Sequence, residues 1–262
     1  MGPESEMEAP EPSNMFAQTF ARGLATITTF TQEADALTIS EVAERTGVTR
    51  STARRLLYTL ITLGYASTDG KHFTLTPKIL DLGYAYLSSS AIWRFAQPLV
   101  ERLVEDVGES ASISVLDGHD VVYVMRIQQQ RLLKNLLNVG SRLPAHAVSM
   151  GRIQLAALSD RDLASYLATV RVQAFTRFTI TDTETLKARI LADRVQGWSM
   201  VSKELEEGIA GIAVPLRGRG GRTLAGLNVS LNPDRLDIPG KRDFIVKRLM
   251  ETAAEIGQSL PS

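Results

Sequence analysis

The residues best equipped for chemistry in this chain lie between Thr49 and Tyr58, in the run TRSTARRLLY. At helical spacing, Thr49, Arg50, Ser51, Thr52, Arg54, Arg55 and Tyr58 all avoid the apolar stripe of Ala53, Leu56, Leu57, Leu60 and Leu63. A guanidinium donates two bonds to a guanine edge and hydroxyls hold phosphates, so this face suits a DNA duplex. Arg50, Ser51 and Arg54 stand on the early turns, the part of a recognition helix that meets base edges. From Arg45 to Tyr58 there are four arginines and no acid. A surface helix with solvated arginines is the plainer alternative. The hairpin that follows and the missing acids favour DNA.

Other chemistry finds little support. The chain has no cysteine, which excludes disulfides, thiolate zinc sites and cysteine nucleophiles. His72, His119 and His146 are scattered, with no metal-ligand spacing to a carboxylate. His146 and Ser149 are close, but no G-x-S-x-G elbow surrounds the serine. The glycine run from Arg217 to Arg222 lies between two strand-like segments and reads as a hairpin turn rather than a phosphate loop. Glu204, Glu206 and Glu207 read as a solvated acidic edge. The expectation is a protein that is not an enzyme, with no catalytic residue, metal or cofactor.

The elements that must position the arginine face are legible. Phe16, Phe20, Leu24 and Ile27 form an apolar stripe on a first helix. Ser40–Thr46 is a second, with Val42 and Ala43 inward, a Thr38-x-x-Glu41 capping box and Gly47 at its end. Thr49 caps a third helix that runs to Leu63 and stops at Gly64. Two β-prone runs, Tyr65–Thr68 and His72–Leu75, follow around Asp69-Gly70, a two-residue hairpin signal. Two helices joined by a glycine turn and followed by a hairpin make a winged helix-turn-helix.

A connecting helix spans Pro77–Leu87, with Ser88–Ser90 as a hinge. A further helix carries Ile92, Phe95, Leu99 and Leu103, bent or restarted at Pro98. Strands then read at Ala111–Leu116, Val121–Ile127 and Leu132–Val139, and helices at Ser149–Leu158, Asp160–Leu167 and Thr183–Gln196. Gly211–Leu216 and Thr223–Leu231 make a closing hairpin before a last helix, Gly240–Gln258. Hairpins with segregated helices indicate α+β rather than a regular βαβ fold. The domain plan is a disordered tail at 1–14, a winged helix domain at 15–76, a linker helix and hinge at 77–90, and a second domain at 91–262.

The 262 residues carry 29 basic and 29 acidic side chains. The neutral total argues at first against a polyanion partner, but the charges are segregated. The first fourteen residues hold four acids and no base, against four bases and no acid in Arg45–Tyr58. That tail lacks a cationic and apolar start, so no signal peptide is expected. No window reaches the ~18 apolar residues of a membrane span. The expectation is a soluble, cytoplasmic protein.

With these features on the page, the sequence resembles the IclR family of bacterial transcription regulators. The resemblance is carried by TISEVAERTGVTRSTARRLLYTLITLGY, LGYAYL, VVYVMRI, LPAHAVSMGR and IAVPLRGRGGRTLAGLNVSL, in the family's order across residues 16–258. KELEEGIAGIAVP is similar to the subgroup that regulates β-ketoadipate pathway genes, the protocatechuate and 4-hydroxybenzoate regulators. The resemblance implies a winged helix domain joined to a GAF-like effector-binding domain, a homodimer or homotetramer, and a palindromic operator in double-stranded DNA. It implies an effector pocket at Leu132, Asn135, Leu143, Ser149, Met150, Ser202, Gly211, Asn228 and Ser230.

The chain departs from the family pattern twice. Gly151-Arg152 stands where Gly-Lys is usual, and GLRSIA or GVRCIA reads Gly208-Ile209-Ala210-Gly211-Ile212-Ala213. Loss of that Arg and Ser or Cys implies a roomier, less polar wall. An aromatic acid needs a flat apolar slot and a few placed donors. Leu132, Leu143 and Met150 could form the slot. Ser149, Asn228, Ser230 and the amides opening the Ser149 helix could hold a carboxylate, with Arg142 or Arg152 adding charge. The reading is a regulator of catabolic genes that senses a small, aromatic carboxylate. The alternatives are a sensor or protein-interaction module without specific DNA binding, and an enzyme acting on the same acid.

Overall fold

A computed structural model describes residues 16–259 except 32, 90–91, 130–136 and 219, and leaves out the side chains of 87, 89 and 92–94. The expected tail at 1–14 lies outside the described residues. The chain divides between Tyr86 and Leu87.

The N-terminal unit opens with α1 (Gln18–Ile27), β1 (Ala36–Leu37), α2 (Ile39–Thr46) and α3 (Arg50–Thr62), then β2 (Ala66–Thr68) and β3 (Phe73–Leu75). The capping box forms at α2: Glu41 N–H donates to Thr38 Oγ1 (3.4 Å) and Thr38 N–H to Glu41 Oε2 (2.7 Å). Gly47 ends α2 at φ +67°, left-handed backbone that a side chain would strain. Ala53, Leu57 and Phe73 meet Leu37 and Val42 in the core. The three strands pair antiparallel in the order β1-β3-β2; β1 has no counterpart in the sequence reading.

Several expectations change in and just after this unit. The wing turn is four residues long, because Thr68 pairs with Phe73. The Asp69 carboxylate accepts the Lys71 and His72 amides (2.8 and 2.7 Å), which draws both residues into the turn. Leu63, expected on the buried stripe, is exposed at the end of α3. On α1, Phe16, Phe20 and Leu24 are exposed, and the buried residue is Thr26. A 3₁₀ turn at Pro77–Ile79 leads into α4 (Leu80–Ser89), which is solvent-facing at every position from 81 to 86. Helix α4 runs through Ser88 and Ser89 of the expected hinge; Ser90 lies outside the described residues.

The C-terminal unit contains α5 (Ile92–Val107), β4 (Ser110–Asp117), β5 (Asp120–Ile127), β6 (Arg142–Pro144), α6 (Ser149–Ala156), α7 (Asp160–Thr169), α8 (Thr183–Gln196), β7 (Ser199–Ser202), β8 (Ala210–Arg217), β9 (Thr223–Leu231) and α9 (Lys241–Gln258). Its sheet is antiparallel throughout, in the order β6-β5-β4-β9-β8-β7. One face packs on α5 and α9 through Leu103, Ile113, Leu227 and Leu249. The other packs on α6, α7 and α8 through Tyr123, Met150, Leu163 and Leu186. Helix α5 passes through Pro98 without restarting.

The expected strand at Leu132–Val139 is not seen in its described part. Leu137 and Asn138 are irregular, Val139 and Gly140 turn, and residues 132–136 lie outside the described residues. The edge strand is Arg142–Pro144, and β7, too short to show alternation, was also not expected.

Candidate functional site

Two features of the described residues are candidates for recognition, one in each unit. On α3, Thr49 is the N-cap: its Oγ1 accepts the Thr52 amide (3.2 Å) and lies 2.9 Å from Ser51 Oγ and 3.0 Å from Thr52 Oγ1. Thr49 and Thr52 therefore serve the helix start, and Thr52 is half-buried. Arg50, Ser51, Arg54, Arg55 and Tyr58 are exposed on one side. The Arg54 guanidinium lies over the Tyr58 ring (5.6 Å), and that ring meets Phe73 of β3 edge-on (5.9 Å). The sheet thus holds Tyr58 as a platform under Arg54. Arg50, Arg54 and Arg55 have no ion-pair partner among the described residues.

Arg45, counted with the basic stretch, is used differently: it donates to the Thr29 carbonyl (3.0 Å) and ties α2 to the end of α1. At the wing tip, Lys71 is exposed beside Asp69. The backbone amides of His72 and Lys71 hold the Asp69 carboxyl well below the usual carboxylate range. Lys71 is a cation that helix-based reading passed over.

In the C-terminal unit, Leu143, Ser149, Met150, Gly211, Asn228 and Ser230 line one cavity of about 40 Å³. Ser202 stands on β7 and is not among the lining residues. Leu132 and Asn135 lie outside the described residues. The cavity also takes in Tyr123, Arg126, Leu137 and Glu204, which sequence reasoning did not select. Most of the wall is aliphatic, yet Arg126 Nε, Ser149 Oγ and Asn228 Oδ1 are buried without a hydrogen-bond partner. Leaving such an atom unpaired costs about 1–3 kcal/mol, so three around one cavity suit a polar ligand. Two larger surface grooves, of about 560 and 690 Å³, have no such atom in their linings.

The charges around the cavity differ from expectation. Arg142 is a surface residue paired with Asp117 (2.8 Å) and Asp120 (3.2 Å). Arg152 is 1% exposed and pairs with Glu204 (2.6 Å) while donating to the His146 carbonyl (2.8 Å). Neither has charge to spare. Glu204 is therefore a buried partner rather than part of a solvated edge, and it also accepts the Ile180 amide (3.0 Å). Arg126 has no carboxylate within ion-pair distance among the described residues; its Nη1 donates to Ser112 Oγ (3.2 Å).

A β-bulge explains why Arg126 was missed. Ile113 pairs with Met125 but Ser114 pairs with Tyr123, so the register slips by one residue. Simple alternation puts Tyr123 and Arg126 on opposite faces. The bulge brings them together, with the guanidinium 5.9 Å from the Tyr123 ring centre. Burial pushes the Tyr123 phenol up to about 12, so it stays protonated.

Gly211 does not leave a roomier wall. A Cβ there would lie 2.6 Å from Ser149 Oγ, so the serine hydroxyl fills the space and the wall is polar. His146 is buried, stacks on Phe175 (5.9 Å) and has Nε2 3.4 Å from the Gln173 carbonyl. Burial lowers its pKa, which fits a neutral structural residue. Among the described residues no cluster of three acids or histidines could hold a metal, and no helix is long and apolar enough to cross a membrane.

Comparison with known proteins covers both units. A family model described as the IclR helix-turn-helix domain matches residues 19–70, and one described as bacterial transcriptional regulator IclR C-terminal matches residues 84–258. The Pca regulon regulatory protein of Pseudomonas putida is 44% identical over 222 residues, 84% of this chain and 76% of that one. The p-hydroxybenzoate hydroxylase transcriptional activator of Acinetobacter baylyi is 35% identical over 241 residues, 90% and 89% of the two chains. A transcriptional regulator from Rhodococcus sp. RHA1 superposes with a TM-score of 0.84 at 43% identity, covering 94% of this chain and 98% of that one. An IclR homolog from Microbacterium hydrocarbonoxydans, solved with 4-hydroxybenzoate, gives 0.79 at 25% identity, covering 92% and 98%.

Proposed function

The chain belongs to the IclR family of bacterial transcription regulators, which bind DNA and are not enzymes, and from that membership we propose that it controls aromatic-catabolism genes in response to a small aromatic carboxylate held in its C-terminal cavity. The observation that carries the ligand half is the trio of unpartnered buried atoms on Arg126, Ser149 and Asn228 within an otherwise apolar wall. The regulators of Pca and p-hydroxybenzoate genes that this chain resembles, and the likeness to a homolog solved with 4-hydroxybenzoate, support the aromatic class.

On the DNA side, Arg50, Ser51 and Arg54 read base edges, while Thr49, Thr52, Arg55 and Tyr58 hold backbone and register. Lys71 at the wing tip adds a phosphate contact. The working form is a homodimer or a pair of dimers on a palindromic operator, which implies a cytoplasmic location. A second copy of the chain covers the apolar residues that the N-terminal unit leaves in solvent: Phe20 is 68% exposed, Leu80 71% and Tyr84 70%.

The ligand acts by linkage, favouring one arrangement of the paired winged helices over another. The half-buried Leu137 and Leu143 form part of the cavity wall, and their packing on a ligand would tie occupancy to conformation. Titrating the protein onto its promoter DNA with benzoate, 4-hydroxybenzoate, protocatechuate and succinate tests this. At least one aromatic acid should change operator affinity by about 5–150-fold and succinate should not. Operator affinity indifferent to every acid would remove the sensor half.

A further inference from the structure

We propose that Arg126 sets the charge class of the effector by gripping its carboxylate, while Ser149 and Asn228 take a hydroxyl at the far end, so that the preferred ligand is an aromatic acid hydroxylated opposite its carboxylate. This rests on the reading of the cavity as the effector site, and it adds which atoms choose the ligand and in which orientation.

The charge argument is one of elimination among named groups. Arg152 and Glu204 neutralise each other, and Arg142 is committed to Asp117 and Asp120 outside the cavity. Among the described residues the lining therefore keeps one uncompensated positive charge, on Arg126. Ser112 engages Nη1 and leaves Nε bare, on the edge where a guanidinium presents two parallel N–H groups to a carboxylate. The Tyr123 ring beside the guanidinium limits its rotation and shields it from water.

The orientation follows from strand register. Arg126 pairs with Ser112, and Ser112 pairs with Asn228, so the three stand in one row across β5, β4 and β9. Two strand spacings separate the outer pair, roughly 10 Å between backbones. Both residues line the cavity, so a ligand lying along this row meets Arg126 at one end and Asn228 at the other. At the Asn228 end the chemistry is that of a hydroxyl. One Asn228 Nδ2 hydrogen goes to Ser230 Oγ (3.0 Å), the bare Oδ1 is an acceptor waiting for a donor, and Ser149 Oγ can donate. A phenol hydroxyl donates to the first and accepts from the second, whereas a second carboxylate would face the Asn228 oxygen unfavourably.

The test is calorimetric titration of the full chain with 4-hydroxybenzoate, its neutral amide 4-hydroxybenzamide, and benzoate, for wild type, Arg126→Met and Arg126→Lys. Wild type should prefer 4-hydroxybenzoate over each of the other two by on the order of tenfold or more. Arg126→Met should weaken the acid by about 10–100-fold and leave the amide within about threefold, while Arg126→Lys keeps part of the preference for the acid. If Arg126→Met weakens acid and amide equally, or weakens neither, the anchor is wrong although the effector reading stands. Equal wild-type affinity for benzoate and 4-hydroxybenzoate overturns the hydroxyl end. Wild type that binds none of the three overturns the effector reading and the anchor together.

Discussion

Among the described residues, Arg54 and Arg126 are both arginines without an acid beside them, each next to a tyrosine ring. Arg54 is in solvent, so its freedom costs little and its Tyr58 platform aims it outward. Arg126 carries a buried Nε, where an unpaired donor is destabilising unless something arrives to meet it. Arg152, by contrast, has its partner built in, and such a buried pair fixes a conformation more surely than it adds stability. Replacing Arg54 by Ala should cost about 1–3 kcal/mol of operator binding and relax the sequence preference at one position. Parallel titrations on operator and random DNA decide this; an equal loss on both would make Arg54 a phosphate contact.

Among the elements, α6 depends most on its surroundings. All eight of its residues are buried, including Arg152 and Gln154, and it lies over the sheet that carries the cavity. Gly151 permits this, since a Cβ there would come within 2.2 Å of the Ala145 carbonyl oxygen. Helix propensity alone says Gly151→Ala should stabilise by up to about 1 kcal/mol. The clash with backbone reverses the sign, and a loss of about 1–3 kcal/mol is expected from chemical denaturation. A midpoint that rises would mean that α6 can shift on the sheet at no cost. Helix α2 is the opposite case: its cap, its box and its terminating glycine are all local, and all were legible in TISEVAERTG.

For the molecule as a whole, the equal count of 29 basic and 29 acidic residues conceals a basic reading face, since Arg50, Arg54 and Arg55 stand together with no acid paired to them among the described residues. Apolar side chains in solvent on α1 and α4 are the other large-scale feature, and on the proposed reading a second copy covers them. Light scattering on the full chain should therefore give a dimer or tetramer. Leu80→Glu combined with Tyr84→Glu should shift it toward the monomer and weaken operator binding by tenfold or more, on the order of the gain from two linked half-sites. A wild-type chain that is monomeric at working concentration would sink that reading.

Local rules carried much of the architecture. Caps, glycine stops, 3.6-residue stripes and two-residue alternation gave the winged helix, the closing hairpin and the last helix, because each depends on residues a few positions apart. All nine candidate effector positions came from resemblance; six of them line one cavity, Ser202 does not, and Leu132 and Asn135 lie outside the described residues. Tertiary structure decided the rest. A one-residue slip between β4 and β5 turned Arg126 into the cavity, burial converted Glu204 from an edge acid into the mate of Arg152, and Ser149 filled the space above Gly211. The physical reason is common to all three: each depends on which strand or helix lies alongside, a relation between residues far apart in the chain that no local spacing records.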